Sequence, residues 1–423
     1  MSWFIIIPIM FGLMLLNMRV WLAMFSAIVI YFLFFGNAPL EIAVQRLIAP
    51  AQNSSLLAIP FFILLGSLLS HTGIAERILK LAQLIVGKFR GGLAMANVLM
   101  STLMGGISAS NLADAAMLSR MMVPEMEKQG YNRAFSSAVT AAGSLVTPII
   151  PPGIALIIYG IVADVSIGSM FMAGILPGIL SAALLLIAIM WVSRKRGYQP
   201  AFKQWPSARE YRVAIFNTWP AILVVLGVVG GIRANIFTPT EAGAVGVFIV
   251  ILIGFLIYKE MKFRHLAQSF VDTAKSTAAV MIVIMASSAL GWIFSLEQAG
   301  ISVAAWITSL TTNKYVFLAA INILLLVVGM FLEGNAIMII LVPLLKPVLV
   351  QLGIDPVHFG LIMILNLSIG TLTPPVGTVM LLVCNITKVQ LSAFVRESLP
   401  LLVALLVALL LVTYVPAISL AFI

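Results

Sequence analysis

Two proline-centred segments hold residues with chemistry to offer, Thr147-Pro148-Ile149-Ile150-Pro151-Pro152-Gly153 and Thr371-Leu372-Thr373-Pro374-Pro375-Val376-Gly377. Upstream of each lies a short polar segment, Gly105-Gly106-Ile107-Ser108-Ala109-Ser110-Asn111 and Glu333-Gly334-Asn335. Proline donates no backbone hydrogen bond and breaks helices, and all four segments interrupt apolar runs. A helix restarting at a break turns free N–H groups and the positive end of its dipole toward whatever stands opposite. The helix that stopped there presents free carbonyls. Carbonyls joined by Ser, Thr and Asn oxygens suit a hard cation such as sodium, and the N–H ends suit an anionic substrate. On this chemistry Ser108, Ser110 and Asn111 are expected to face Gly143, Thr147 and Pro148 in one sodium site. Gly334 and Asn335 are expected to face Gly370, Thr371 and Thr373 in a second. Candidate substrate contacts are Ser108, Ser110, Asp114, Thr147, Glu333 and Asn335.

Each assignment has a plainer counterpart. Asn111 and Asn335 also suit the role of caps for the helices that follow them. Asp114 lies where it would satisfy helix-start donors, and Glu333 is long enough to reach water; acids inside a membrane are nonetheless costly and usually functional. Arg120, Arg133 and Lys346 fall toward hairpin mouths and read as interfacial. Asp272 and Lys275 have the i, i+3 spacing of a local ion pair. His71, His265 and His358 are scattered, and Cys384 is alone, so neither a histidine-ligated metal site nor an internal disulfide is expected. There is no G-x-x-x-x-G-K-[ST] loop for ATP. With no H-E-x-x-H, no Cys/His pairing and no clustered carboxylates, an intramembrane enzyme has no support.

The elements that must hold these segments recur. Pro124 and Pro347, Gly130 and Gly353, Pro151-Pro152 and Pro374-Pro375, and Pro177 and Pro400 are each 223 residues apart. The chain is 62% hydrophobic and 9% charged, where soluble domains carry about 25% charged residues, and its mean hydropathy is +1.15. These values describe an all-α integral membrane protein surrounded by a lipid bilayer. The net charge of +10 does not point to nucleic acid. Arg194, Lys195, Arg196, Lys203, Arg209 and Arg212 cluster between two apolar stretches, as a cytoplasmic loop requires. The 22 methionines and 24 phenylalanines read as packing or lipid-facing residues.

A first repeat over 1–193 is expected to hold spans at 3–17, 20–36 and 56–70, an amphipathic arm at 74–88, a re-entrant hairpin at about 91–128, a broken helix at about 134–162 and a span at 169–192. A basic linker, 194–212, follows. The second repeat, 213–423, is expected to hold spans at 213–231, 240–258 and 264–296, an arm at 301–311, a hairpin at about 313–350, a broken helix at about 357–385 and a last span at 398–422. Residues 3–17 lack the basic flank of a signal peptide and read as a retained helix. With returning hairpins each repeat crosses five times, so the second is inverted relative to the first. Anchoring 194–212 in the cytoplasm places both termini outside, opens the first hairpin to the cytoplasm and opens the second to the outside.

At these residues the chain resembles the large membrane subunit of tripartite ATP-independent periplasmic (TRAP) transporters, over essentially its whole length. The resembling segments are Leu56-Leu57-Ala58-Ile59-Pro60-Phe61-Phe62, 105–116 with Ser108-Ala109-Ser110-Asn111-Leu112-Ala113-Asp114, and 148–153. They continue with Phe171-Met172-Ala173-Gly174 through Pro177-Gly178, then Phe237-Thr238-Pro239-Thr240-Glu241-Ala242 and 373–377. The resemblance implies an elevator-type symporter of the bacterial inner membrane that couples Na+ to organic-acid uptake. It also implies two partners, a small four-helix membrane subunit and a periplasmic substrate-binding protein. In the family the hairpin tips and proline breaks form the sodium and substrate sites, while the 264–296 span and the arms belong to the scaffold. Two positions depart from the family's pattern: Arg19 stands where proline is usual, and Glu333-Gly334-Asn335 is an unusual tip, which leaves open which carboxylate or sulfonate is carried. A stand-alone sodium/dicarboxylate carrier is the alternative within transport. A passive channel fits inverted copies with two hairpins less well.

Overall fold

The computed structural model describes every residue except Met1, Ser2, Asn17, Gly36, Asn37, Ala38, Ala109 and Lys203, and does not describe the side chains of Trp3, Leu15, Leu40 and 106–108. Among the described residues the regular structure is helical, with one isolated backbone bridge between Arg90 and Pro200. Among these residues, six helices are long and apolar enough to cross a membrane: Ile167–Arg196, Ala208–Arg233, Pro239–Ile257, Phe263–Leu296, Gly334–Gln351 and Leu391–Tyr414. Two bent pairs, Glu41–Gln52 with Ser54–Leu69 and Ala299–Leu310 with Lys314–Gly329, raise the number to eight. Large apolar side chains such as Phe4, Leu226, Phe248 and Trp306 stand exposed on the outside. Such a surface is costly in water and natural in hydrocarbon. The chain is a multi-pass membrane protein.

The helices Gly92–Ser108 and Asn111–Lys128 form the first hairpin, and Lys314–Gly329 and Gly334–Gln351 form the second. Arg133–Ser144 and Ile154–Ala163 flank the first proline break, and Pro356–Gly370 and Thr378–Thr387 flank the second. Both proline doublets contain a cis peptide bond. Each hairpin docks on its own break through glycine. A methyl group added at Gly105 would stand 2.9 Å from Ile150 Cβ and 3.2 Å from Thr147 Cα. One added at Gly370 would stand 2.7 Å from the Gly329 carbonyl carbon. The second hairpin arms cross over between copies: Asn111–Lys128 packs on Thr378–Thr387, and Gly334–Gln351 packs on Ile154–Ala163.

Two ends of the molecule are defined by their contacts. At one, Arg77 pairs with Glu260 at 2.7 Å, the Tyr211 hydroxyl donates to the Leu84 carbonyl at 2.8 Å, and Lys88 lies over the Trp205 ring. At the other, Arg233 donates to the Phe422 carbonyl at 3.3 Å, and Asp164, Asn235 and Phe422 share a surface cavity. The Ile167–Arg196 helix links them over 30 residues, about 45 Å. The mouth of the first hairpin meets Tyr198, just past the end of this helix: the Asn132 N–H donates to the Tyr198 hydroxyl at 3.2 Å, and the Tyr131 and Tyr198 rings are 4.5 Å apart. The mouth of the second meets the residues just before its start. Lys346 Nζ is 3.8 Å from Asp164, and the Tyr159 hydroxyl donates to the Pro356 carbonyl at 2.6 Å. The two hairpins therefore open toward opposite ends.

Two details differ from the sequence-based expectation. Helix Leu40–Ile48 fills a stretch between the second and third expected spans. The basic linker is helical at both ends: Ile167–Arg196 runs into it and stops at the left-handed Gly197, and Ala208–Arg233 begins inside it at a Ser207/Glu210 capping box.

Candidate functional site

A cavity of about 540 Å³ lies where the hairpin tips and breaks converge. The starts of four helices line it, Ser110–Asn111 and Gly334 at the two tips and Ile154 and Thr378 after the two breaks. Pro148, Ser368 and Thr371 contribute from the breaks, and Ser67, Ser70, Asp272, Thr273 and Ser276 form the wall contributed by helices Ala58–Leu69 and Phe263–Leu296. No Lys, Arg or His belongs to the lining among the described residues. Four helix dipoles, with the N–H groups that their caps leave free, are therefore the positive features of this space.

At the first tip Ser110 is the N-cap, its hydroxyl accepting from the Ala113 N–H at 3.4 Å, while Asn111 Oδ1 accepts from the Leu112 N–H at 2.9 Å. At the second tip the cap is Glu333, which accepts from the Ala336 N–H at 3.1 Å and holds the Asn335 amide at 2.7 Å. Neither asparagine is the cap of its helix. Glu333 is exposed and open to the cavity. Asp114 is fully buried at the cavity wall and joins three elements. Ser101 Oγ donates to its Oδ2 at 2.7 Å and Thr147 Oγ1 at 3.2 Å, while its Oδ1 has no protein partner. An unpaired buried carboxylate oxygen is expensive, and a bound cation is one way to satisfy it.

The structure brings Ser110, Asn111, Asp114, Pro148, Glu333, Gly334, Asn335 and Thr371 to the cavity. It leaves four expected residues behind the wall. Gly143 packs on Ser101 and Val98, and Gly370 on Gly329. Thr147 is fully buried on Asp114, and Thr373 Oγ1 donates back to the Ile369 carbonyl at 2.9 Å. Ser108 ends the first hairpin arm, and its side chain lies outside the described residues. Asp272 and Lys275 make no ion pair; Asp272 faces the cavity instead. Sequence reasoning missed Ser101, Ser67, Ser70, Thr273, Ser276 and Ser368. The available signal was the recurrence of hydroxyls at helical spacing, 67 with 70 and 273 with 276, inside apolar runs.

Comparison with known proteins bears on this geometry. The family model described as "Tripartite ATP-independent periplasmic transporter, DctM component" matches residues 7–418. The sialic acid TRAP transporter large permease protein SiaM of Vibrio cholerae is 35% identical over 409 residues, covering 97% of this chain and 95% of that protein. The C4-dicarboxylate TRAP transporter large permease protein DctM of Pseudomonas aeruginosa is 35% identical over 376 residues, covering 89% of this chain and 88% of that one. The isethionate TRAP transporter permease protein DctMQ of Oleidesulfovibrio alaskensis is 34% identical over 387 residues, 92% of this chain and 61% of that one. Among solved structures, the YdaH transporter of Alcanivorax borkumensis superposes with a TM-score of 0.61 at 15% identity, covering 90% of this chain and 89% of that one. At that identity the likeness is one of fold.

Proposed function

The chain belongs to the large permease subunits of TRAP transporters, and we propose that it couples sodium entry to the uptake of an organic acid handed over by a periplasmic binding protein. The observation that carries this reading is the convergence of four helix N-termini, two from each copy, on one cavity without basic side chains. An anion held there is bound by dipoles and N–H groups. Charge balance comes from cations held by the tips, with Asp114, Ser110 and Asn111 in one site and Gly334, Asn335 and Thr371 in the other. Opposite hairpin mouths and the crossing of each second arm to the other copy support two inverted repeats that act as one transport body. Movement of that body against the frame of Ala208–Leu296 is an elevator. We place the protein in the bacterial inner membrane with both termini outside, beside a small four-helix subunit; the longer isethionate relative bears DctMQ in its name.

Uptake by the reconstituted complex is expected to require sodium and the binding protein. Uptake independent of sodium removes the symport, and uptake independent of the binding protein points to a stand-alone carrier. Asn111→Ala and Asn335→Ala are each expected to raise the sodium concentration for half-maximal uptake, since each removes an oxygen at a tip; unchanged sodium dependence in both excludes them as ligands.

A further inference from the structure

The cavity opens toward the basic end. Its outer wall runs along Phe263–Leu296 from Val280 to Asp272, about 12 Å of helix axis. It also includes Ser70, which precedes His71 and the Arg77–Glu260 pair. None of the residues of the Asp164–Arg233 end lines it. At its mouth Asp272 is exposed and has neither hydrogen bond nor ion pair, and Lys275, one turn on, is not among the lining residues. His71, on the neighbouring segment, interacts with it electrostatically. His71 stacks on His265 with ring centroids 4.9 Å apart, and burial, reinforced by the His265 ring, holds His71 below the usual imidazole range despite the opposing pull of Asp272. Behind Asp272, Thr273 is buried with an unpartnered hydroxyl.

An anion leaving the cavity by this mouth passes a carboxylate with no hydrogen bond or ion pair of its own, whereas the Asp164–Arg233 end contributes nothing to the lining. We propose that Asp272 is a polarity-determining residue, an electrostatic valve that weakens the binding of anionic substrate from the basic, cytoplasmic end and so speeds its release there. This rests on the reading of the substrate as an organic acid. The valve changes half-saturation on one side and not the final accumulation, which the ion gradients fix. Interaction across water at one helical turn corresponds to about threefold in local concentration per unit charge, is screened by salt, and grows with substrate valence.

The test has a substrate-free arm and a transport arm, both in the full reconstituted complex. In a Cys384→Ala background, Ser276→Cys places a thiol on the cavity wall one turn from Asp272. Its modification is timed with an anionic sulfonatoethyl and a cationic trimethylammonioethyl methanethiosulfonate. Asp272→Asn is expected to raise the anion rate and lower the cation rate by about threefold each at low salt, and Asp272→Glu is expected to leave both unchanged. An unaltered ratio in Asp272→Asn overturns the valve whatever the protein carries. In the second arm, sialic acid, succinate and isethionate are offered inside and outside proteoliposomes activated by external binding protein. Asp272→Asn is expected to lower the internal half-saturation, more for the dianion than for the monoanions, and to leave the external value in place. Equal change on both sides, or a raised internal value, overturns the valve while leaving the transport reading intact. Failure of the wild type to carry any anion overturns the transport reading itself.

Discussion

At the scale of residues, Asp114 has the most to explain. Its two acceptor oxygens are treated differently: Oδ2 receives Ser101 and Thr147, while Oδ1 receives nothing from the protein. A residue serving only to tie the hairpin to the broken helix would use both oxygens or be replaceable by its amide. Asp114→Asn keeps size and shape but removes the charge. Hydrogen bonds to charged groups contribute about 1.5–3 kcal/mol, so loss of a cation ligand is expected to raise the sodium half-saturation roughly ten- to a hundredfold. Ser101→Ala removes one donor and leaves the charge, so it is expected to lower the thermal unfolding midpoint with a much smaller change in sodium dependence. If Asp114→Asn changes the unfolding midpoint and not the sodium titration, the carboxylate is a tie. The acid itself was legible in the sequence because it lies in an apolar setting, where ionisable groups are rare. Ser101 was not. One serine in a helix looks the same from sequence whether it faces lipid, a neighbour or a ligand, and only the position of Asp114 gives it a role.

At the scale of elements, the glycine contacts decide how tightly each hairpin tip is held to its break. Gly105 meets Thr147 and Ile150, and Gly329 meets Gly370, positions related by 224 and 223 residues, so both copies use backbone contact at one place. The two are unequal in what surrounds them. An added methyl at Gly370 runs into Gly329 main-chain atoms at 2.7, 2.9 and 3.0 Å, whereas at Gly105 only Ile150 Cβ, at 2.9 Å, is that close and the Thr147 main chain stands at 3.2 Å and beyond. A Cβ is fixed by its own main chain, so neither contact is relieved by a change of rotamer, and overpacking costs about 1–3 kcal/mol, more where more atoms must give way. Gly370→Ala is therefore expected to lower the thermal unfolding midpoint in detergent more than Gly105→Ala, with the reverse ranking counting against a backbone-limited contact. The sequence announced these elements well, because prolines and small polar residues inside apolar runs have few other readings. It was silent on helix Leu40–Ile48, nine residues carrying Glu41 and Arg46; a short amphipathic segment between prolines has too little period to separate from a loop. Asp272 was read through the ion-pair spacing with Lys275, a local rule that the cavity beside the helix overrides.

At the scale of the whole molecule, the fixed 223-residue offset and the distribution of charge make one claim together. If positive loops mark the cytoplasm, the end holding Arg77, Tyr198 and Arg212 faces inward and the end holding Asp164, Arg233 and Phe422 faces outward. The mouth of the first hairpin, tied to Tyr198, then opens inward, and that of the second, beside Asp164, opens outward. Lys128 and Gln351 are exposed residues closing the two hairpins, again 223 residues apart. In a Cys384→Ala background, Lys128→Cys is expected to react with a membrane-impermeant maleimide only after the cell is opened, and Gln351→Cys is expected to react in intact spheroplasts. Copies repeated without inversion would place both thiols on one side, and labelling of the pair from the same face would overturn the topology. Reversed labelling, Lys128→Cys outside and Gln351→Cys inside, would keep the inversion and overturn the charge-based orientation. With it would go the assignment of the Asp272 mouth to the cytoplasm, since that assignment depends on which end of Phe263–Leu296 faces inward.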